Sequence, residues 1–166
     1  MNTITLENYR QYKPSDLIAR GVHDMLDAVE SGMDIITHDW FGYNDVECKC
    51  FCCLGGAVLR GMVPQIKACT DSGNYKDAKI RMLLHSNDTE RRVACLFDSI
   101  RLGNGSQVLI ALQEMYGLDS SSLSLVDAIY YKWRRAPFYG ELNNTQIEQL
   151  SKSIFNLVDA LRSIGL

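Results

Sequence analysis

The sequence predicts an all-α, or mostly α, fold: a single compact domain over residues 1–166, built as a bundle of six to seven helices. Three observations predict it. Apolar residues recur at three- and four-residue spacings in one segment after another. Capping residues and glycines punctuate those segments. Residues 36–51 break the pattern, with an imperfect alternation that allows a small β-ribbon. A chain of 166 residues that is 46% apolar can close a hydrophobic core without disulfide or metal staples.

Taken in order, residues 1–12 show no periodicity and are expected to form a flexible N-terminal arm. A helix is predicted over 15–31, where Ile18, Val22, Met25 and Val29 follow at spacings of four, three and four. Ser15 suits its N-cap, Asp16 the positive helix end, and Gly32 the position just past its C-terminus. From Met33 the helical period lapses. Asp34-Ile35-Ile36-Thr37 extends a turn or starts a strand, and Trp40-Phe41-Gly42-Tyr43-Asn44-Asp45 has the composition of a loop or hairpin turn. Cys52 to Met62 reads as a short helix of small residues, ended by Pro64. Lys67 to Tyr75 reads as a loop, and Lys76 to His85 as a helix whose apolar residues are Ile80, Leu83 and Leu84.

Asn87-Asp88-Thr89-Glu90 has the form of a capping box, in which cap and third residue satisfy each other's amides. The helix behind it carries Val93, Leu96, Phe97 and Ile100, and stops at Gly103-Asn104-Gly105. Ser106 to Tyr116 repeats the theme and closes at Gly117. Ser121 or Ser122 opens a helix with Val126, Ile129, Tyr130 and Trp133, which Pro137 blocks from continuing. Thr145-Gln146-Ile147-Glu148 is read as a second capping box. Ile147, Leu150, Ile154, Leu157, Leu161 and Ile164 then keep a three-four alternation. That stripe is read first as bundle core, and alternatively as a homodimer seam through residues 147–164.

Composition narrows function. Seventeen Lys and Arg against twenty Asp and Glu leave a net charge of −3 without a basic cluster, which argues against strong nucleic-acid binding. No apolar run is long enough for a membrane span. The start MNTITLENYRQYKP lacks a secretory layout, so a cytoplasmic setting is expected, with reduced thiols. Phosphate-binding glycine loops, His-Glu-x-x-His, EF-hand and Gly-x-Ser-x-Gly patterns do not occur, which weakens the case for an enzyme.

One segment breaks local rules: His38-Asp39-Trp40-Phe41-Gly42, then Cys48-Lys49-Cys50-Phe51-Cys52-Cys53-Leu54-Gly55-Gly56-Ala57-Val58. Glycines inside a helix cost about 1 kcal/mol each relative to alanine, so two in succession imply a compensating gain. The leading reading is close packing, with Gly55, Gly56 and Ala57 as a small face for another helix or Trp40, and Cys52 and Cys53 as small buried hydrophobes. A second reading makes Cys52 or Cys53 a nucleophile at a helix N-terminus, with His38 or His85 as base and Asp39 orienting it. A third gathers Cys48, Cys50, Cys52 or Cys53, Cys69 and a histidine around zinc, although one intervening residue between Cys48 and Cys50 departs from the usual two. No cofactor is expected on the leading reading.

At this segment, through Trp40, Gly42 and Cys52-Cys53-Leu54-Gly55-Gly56-Ala57-Val58, the chain resembles a group of uncharacterised small proteins from phages and bacteria. The likeness spans roughly residues 15–62, and the C-terminal helices have no counterpart in it. The group has no established activity to transfer, so the resemblance implies context alone: a small accessory protein of a mobile element or its host.

The function expected is that of a non-catalytic interaction protein that binds and modulates or inhibits another, host-encoded macromolecule. Tyr130, Tyr131, Trp133, Arg134, Arg135, Phe138 and Tyr139 are its expected anchors, because Trp, Tyr and Arg dominate binding energy at interfaces.

Overall fold

The structure is a computed structural model and describes residues 3–36, 40–46, 49–133 and 139–166, with Asn44, Lys49, Tyr130, Tyr131 and Lys132 described by backbone alone. It is mostly helical. Eight α-helices are found among the described residues: α1 (Pro14–Glu30), α2 (Leu54–Met62), α3 (Pro64–Asp71), α4 (Tyr75–His85), α5 (Asp88–Leu102), α6 (Gly105–Tyr116), α7 (Ser120–Trp133) and α8 (Asn144–Ser163). None of them is long and apolar enough to cross a membrane.

The helix beyond the expected six or seven is α3. Pro64 ends α2 as predicted, but it also occupies the first position of the next helix, where its missing N–H is no loss and its fixed φ suits the turn. The loop expected from Lys67 shrinks to Ser72–Asn74. The same rule moves the start of α1 to Pro14, with Lys13 as cap, so Ser15 lies buried inside the first turn. Gly32 follows α1 in the left-handed region, φ 88°, and its amide donates to the Val29 carbonyl at 2.9 Å.

Two caps differ from their predicted form. Asn87 accepts from the Glu90 amide, but the Glu90 carboxylate turns away to take a fork from Arg81 at 2.7 and 3.0 Å. On α8 the reciprocal box sits two residues earlier than predicted, between Asn143 and Gln146.

The ribbon expected near 36–51 is a three-stranded sheet of β1 (Met33–Ile35), β2 (Gly42–Asn44) and β3 (Lys49–Cys52), in the order β1-β3-β2. Strand β3 pairs in parallel with β1, Met33 facing Cys50, and antiparallel with β2, Gly42 facing Phe51. Met33 and Ile35 are buried on one side while Asp34 between them is not, the two-residue period of a half-buried strand.

Helix α1 packs between α2 and α8, α2 against α5, and α5 against α6, with α7 bridging α6 and α8. The stripe on α8 is consumed inside the chain: Ile147, Leu150, Ile154, Leu157, Val158 and Leu161 are all buried in the single core. The apolar stripe of residues 147–164, read alternatively as a homodimer seam, is thus covered within the chain and presents no open apolar face. The expected flexible arm is docked as well, over residues 3–12. Tyr9 is buried edge-on against Tyr116 at 5.6 Å, Arg10 donates to the Met115 carbonyl, and Arg20 of α1 reaches back to the Ile4 carbonyl.

Candidate functional site

The thiol and glycine stretch lies where β3 passes into α2. Cys53 caps the helix: its Sγ accepts from the Gly56 amide at 3.3 Å. Asp98 of α5 closes the arrangement. Its Oδ1 accepts from the Gly55 amide at 2.9 Å, and the Cys53 thiol donates to Oδ2 at 3.5 Å. A Cβ on Gly55 would lie 2.6 Å from the Ala94 carbonyl oxygen of α5, and one on Gly56 would collide with the carbonyl of Trp40. Both glycines thus let backbone meet backbone, which offsets their conformational cost. This is the close packing that the sequence suggested, with a helix on one side and Trp40 on the other.

The electrostatics of the thiols follow. Cys52 is fully buried, and desolvation pushes it up to about 12. Cys53 is 2% exposed and is also pushed up, first by burial and then by the Asp98 carboxylate. Burial in turn raises Asp98. A nucleophilic cysteine needs the opposite environment, open and electropositive. Capping a helix N-terminus is therefore not enough to activate Cys53, since burial and an acidic neighbour outweigh the dipole. Of the residues expected to assist, His38 and Asp39 lie outside the described residues, and His85 is on the exposed end of α4.

Nearby, Arg101 of α5 is 1% exposed; it donates to the Ile36 carbonyl and, at 2.7 Å, to the Gly140 carbonyl. It ties the end of β1 to the approach to α8, where the Leu142 amide also donates to Ile35. A second buried guanidinium, Arg60 of α2, bonds Asp27, Ser31, Thr70 and Asp71 and fastens α1, α2 and α3 together. Sequence reasoning missed both, because an arginine in an amphipathic helix reads as surface.

For the zinc reading, Cys48 lies outside the described residues. Cys53 is engaged by Asp98, Cys50 and Cys69 are half-buried, and Cys50 sits beside the Tyr75 hydroxyl. Among the described residues no three His, Cys, Asp or Glu side chains come together as a metal set.

The expected interface cluster is divided. Trp133 is half-buried, and its Nε1 donates to the Ser153 carbonyl at 2.7 Å, so it pins α7 to α8 rather than facing outward. Tyr139 is 68% exposed. Arg134, Arg135 and Phe138, and the side chains of Tyr130 and Tyr131, lie outside the described residues.

Another face was missed. Helix α4 turns Ala78 and Met82 to the core, while Ile80, Leu83 and Leu84, read as its apolar residues, are 46, 56 and 70% exposed on the other side. At its N-terminal end α4 also meets β2 across a groove of 620 Å³, walled by Tyr43, Phe51, Tyr75, Lys76 and Lys79, with Asp45 at its edge. The Tyr43 and Tyr75 rings stack there at 6.2 Å between centroids and 13° between planes. The available signal was the second apolar pair, Ala78 and Met82, spaced four apart on the opposite side of the same helix. Compared with protein-family models, curated proteins and solved structures, the chain matches none of them.

Proposed function

We propose that the chain is a non-catalytic binding protein, a small accessory protein that engages another protein and modulates or inhibits it. The observation that carries this reading is α4, a helix whose inner face is filled and whose outer face still presents Ile80, Leu83 and Leu84 beside an aromatic groove. Scattered exposed leucines need no explanation, but three large apolar side chains on one ridge of a single helix have the make-up of a contact surface. Cys52 and Cys53 are buried and engaged in packing, which weighs against the thiol-enzyme reading. The likeness of residues 15–62 to small phage and bacterial proteins adds a setting: a mobile-element product, working in the cytoplasm on a host-encoded partner.

The test is quantitative affinity capture from host lysate with the full chain and with Leu83→Glu/Leu84→Glu, each checked for native circular dichroism. The reading expects a defined partner enriched by the parent chain and lost with the variant. Capture that is unspecific, or equal for both baits, refutes it.

A further inference from the structure

We infer that Asn104-Gly105, in the turn between α5 and α6, is a site of spontaneous covalent modification: the Asn104 side chain closes on the Gly105 backbone nitrogen, loses ammonia, and reopens with water to aspartate and isoaspartate. The inference stands apart from the binding reading. Asn74, Asn87, Asn104 and Asn143 all cap helices through their side-chain oxygens, which makes them an internal comparison. Asn87 and Asn143 hold the amide three residues on at 2.8 and 2.9 Å, with ψ of 173° and 171°, the extended backbone usual at a cap. Asn104 holds the Gln107 amide at 3.3 Å, with ψ 84°. The cap bond of Asn74 is as long, but its side-chain nitrogen is also tied to Asp77. Of the four, Asn104 alone is followed by glycine.

That glycine supplies the nucleophile. With no Cβ beside it, the Gly105 nitrogen is open to approach the Asn104 Cγ. As the first residue of α6 it has no intrahelical acceptor, and its N–H has no partner among the described residues, so no hydrogen bond must break before it reacts. Asn104 is exposed to water, and Gly103 before it is in the left-handed region, φ 67°, so the pair has a permissive backbone on both sides. In the first step the Gly105 nitrogen bonds to Cγ, the Cγ–Nδ2 bond breaks, and ammonia leaves with the amide proton. Water then cleaves the cyclic imide. Opening at Cγ gives aspartate, which keeps the cap oxygen and adds negative charge at the positive end of α6. Opening at the main-chain carbonyl gives isoaspartate, which lengthens the turn between α5 and α6 by a methylene and withdraws the side chain from its cap position.

The experiment holds the full chain at pH 7 and pH 9 and follows it by peptide mass spectrometry, with electron-transfer fragmentation to separate isoaspartate from aspartate. Position 104 should convert at least tenfold faster than Asn74, Asn87 or Asn143, and faster at pH 9, because the attacking nitrogen must lose its proton. Gly105→Ala should slow conversion at least tenfold. Asn104→Asp should keep the urea midpoint of the parent, whereas chains enriched in isoaspartate should unfold at a lower one. The rate in the folded chain should stay within severalfold of that in urea. Conversion at position 104 no faster than at the other three caps overturns the inference, and this comparison needs no variant. So does conversion confined to the unfolded chain, or a rate that Gly105→Ala leaves unchanged.

Discussion

Replacing Gly55 by Ala separates two opposed physical effects. Gly55 lies in the first turn of α2 with ordinary helical handedness, so helix propensity alone predicts that Ala stabilises by about 1 kcal/mol. Packing predicts the reverse. The new methyl would sit 2.6 Å from the Ala94 carbonyl oxygen, 2.9 Å from the Ala94 Cα and 3.0 Å from Asp98 Oδ2. Two of these atoms belong to backbone, so no side chain can swing aside, and α2 must lift from α5. Overpacking of that kind costs about 1–3 kcal/mol. The shift also stretches the amide-to-carboxylate bond from Gly55 to Asp98, a class worth about 1.5–3 kcal/mol. After the propensity gain, a net loss of about 1.5–5 kcal/mol is expected. Urea unfolding followed by far-ultraviolet circular dichroism reads this as a lower midpoint with unchanged slope. A midpoint equal to or above that of the parent protein refutes the argument, because it means that α2 does not rest on α5 through Gly55.

Other consequences are smaller. Leu83→Glu should leave the urea midpoint within about 0.5 kcal/mol of the parent, as exposed substitutions do, whereas a core leucine would cost several times that. Arg60→Ala should lower stability by about 2–3 kcal/mol, below the full cost of a broken buried pair, because Asp27 and Asp71 are half exposed and regain water. Asp24 is raised to about 6, chiefly by burial and against the opposing pull of Arg20, and its Oδ2 has no hydrogen-bond partner among the described residues. A native value above the unfolded one means the folded chain binds the extra proton. Stability from this group is therefore complete below about pH 4 and is lost as pH rises through 6, by up to about 3 kcal/mol. The gap in midpoint between Asp24→Asn and the parent should widen in the variant's favour over that window; a gap that stays constant from pH 4 to 7 contradicts it.

Much of the helical frame was legible, because capping residues and glycines act locally. Asn87, Asn104, Gly103 and Gly117 mark ends where the side chain or a left-handed backbone satisfies the last turn whatever surrounds it. The glycine pair in α2 was legible for a related reason: a local penalty implied a non-local gain, and the gain is contact with Ala94 and Trp40. The misreadings share a cause too. Pro64 terminates one helix and begins another, and nothing local says which role dominates. On α4, periodicity identified a helix but not its inward side, since Ala78 and Met82 compete with Ile80, Leu83 and Leu84, and only the tertiary fold decides. Arg60 and Arg101 were invisible because their burial depends on acceptors contributed by distant elements.

Burial and the neighbouring Asp98 carboxylate predict that Cys52 and Cys53, at the head of α2, pack and do not react. Peptide-resolved alkylation by iodoacetamide across pH 6–9 measures this directly. With the native chain, Cys52 and Cys53 should label only at the rate of global unfolding, accelerating with urea in step with loss of circular dichroism, while exposed Cys95 labels in the folded protein, more slowly than a free thiol because partial burial and then Asp98 raise it. Rapid labelling of Cys53 in the folded protein, with an apparent pKa below the about 8.5 of a free thiol, would contradict the account.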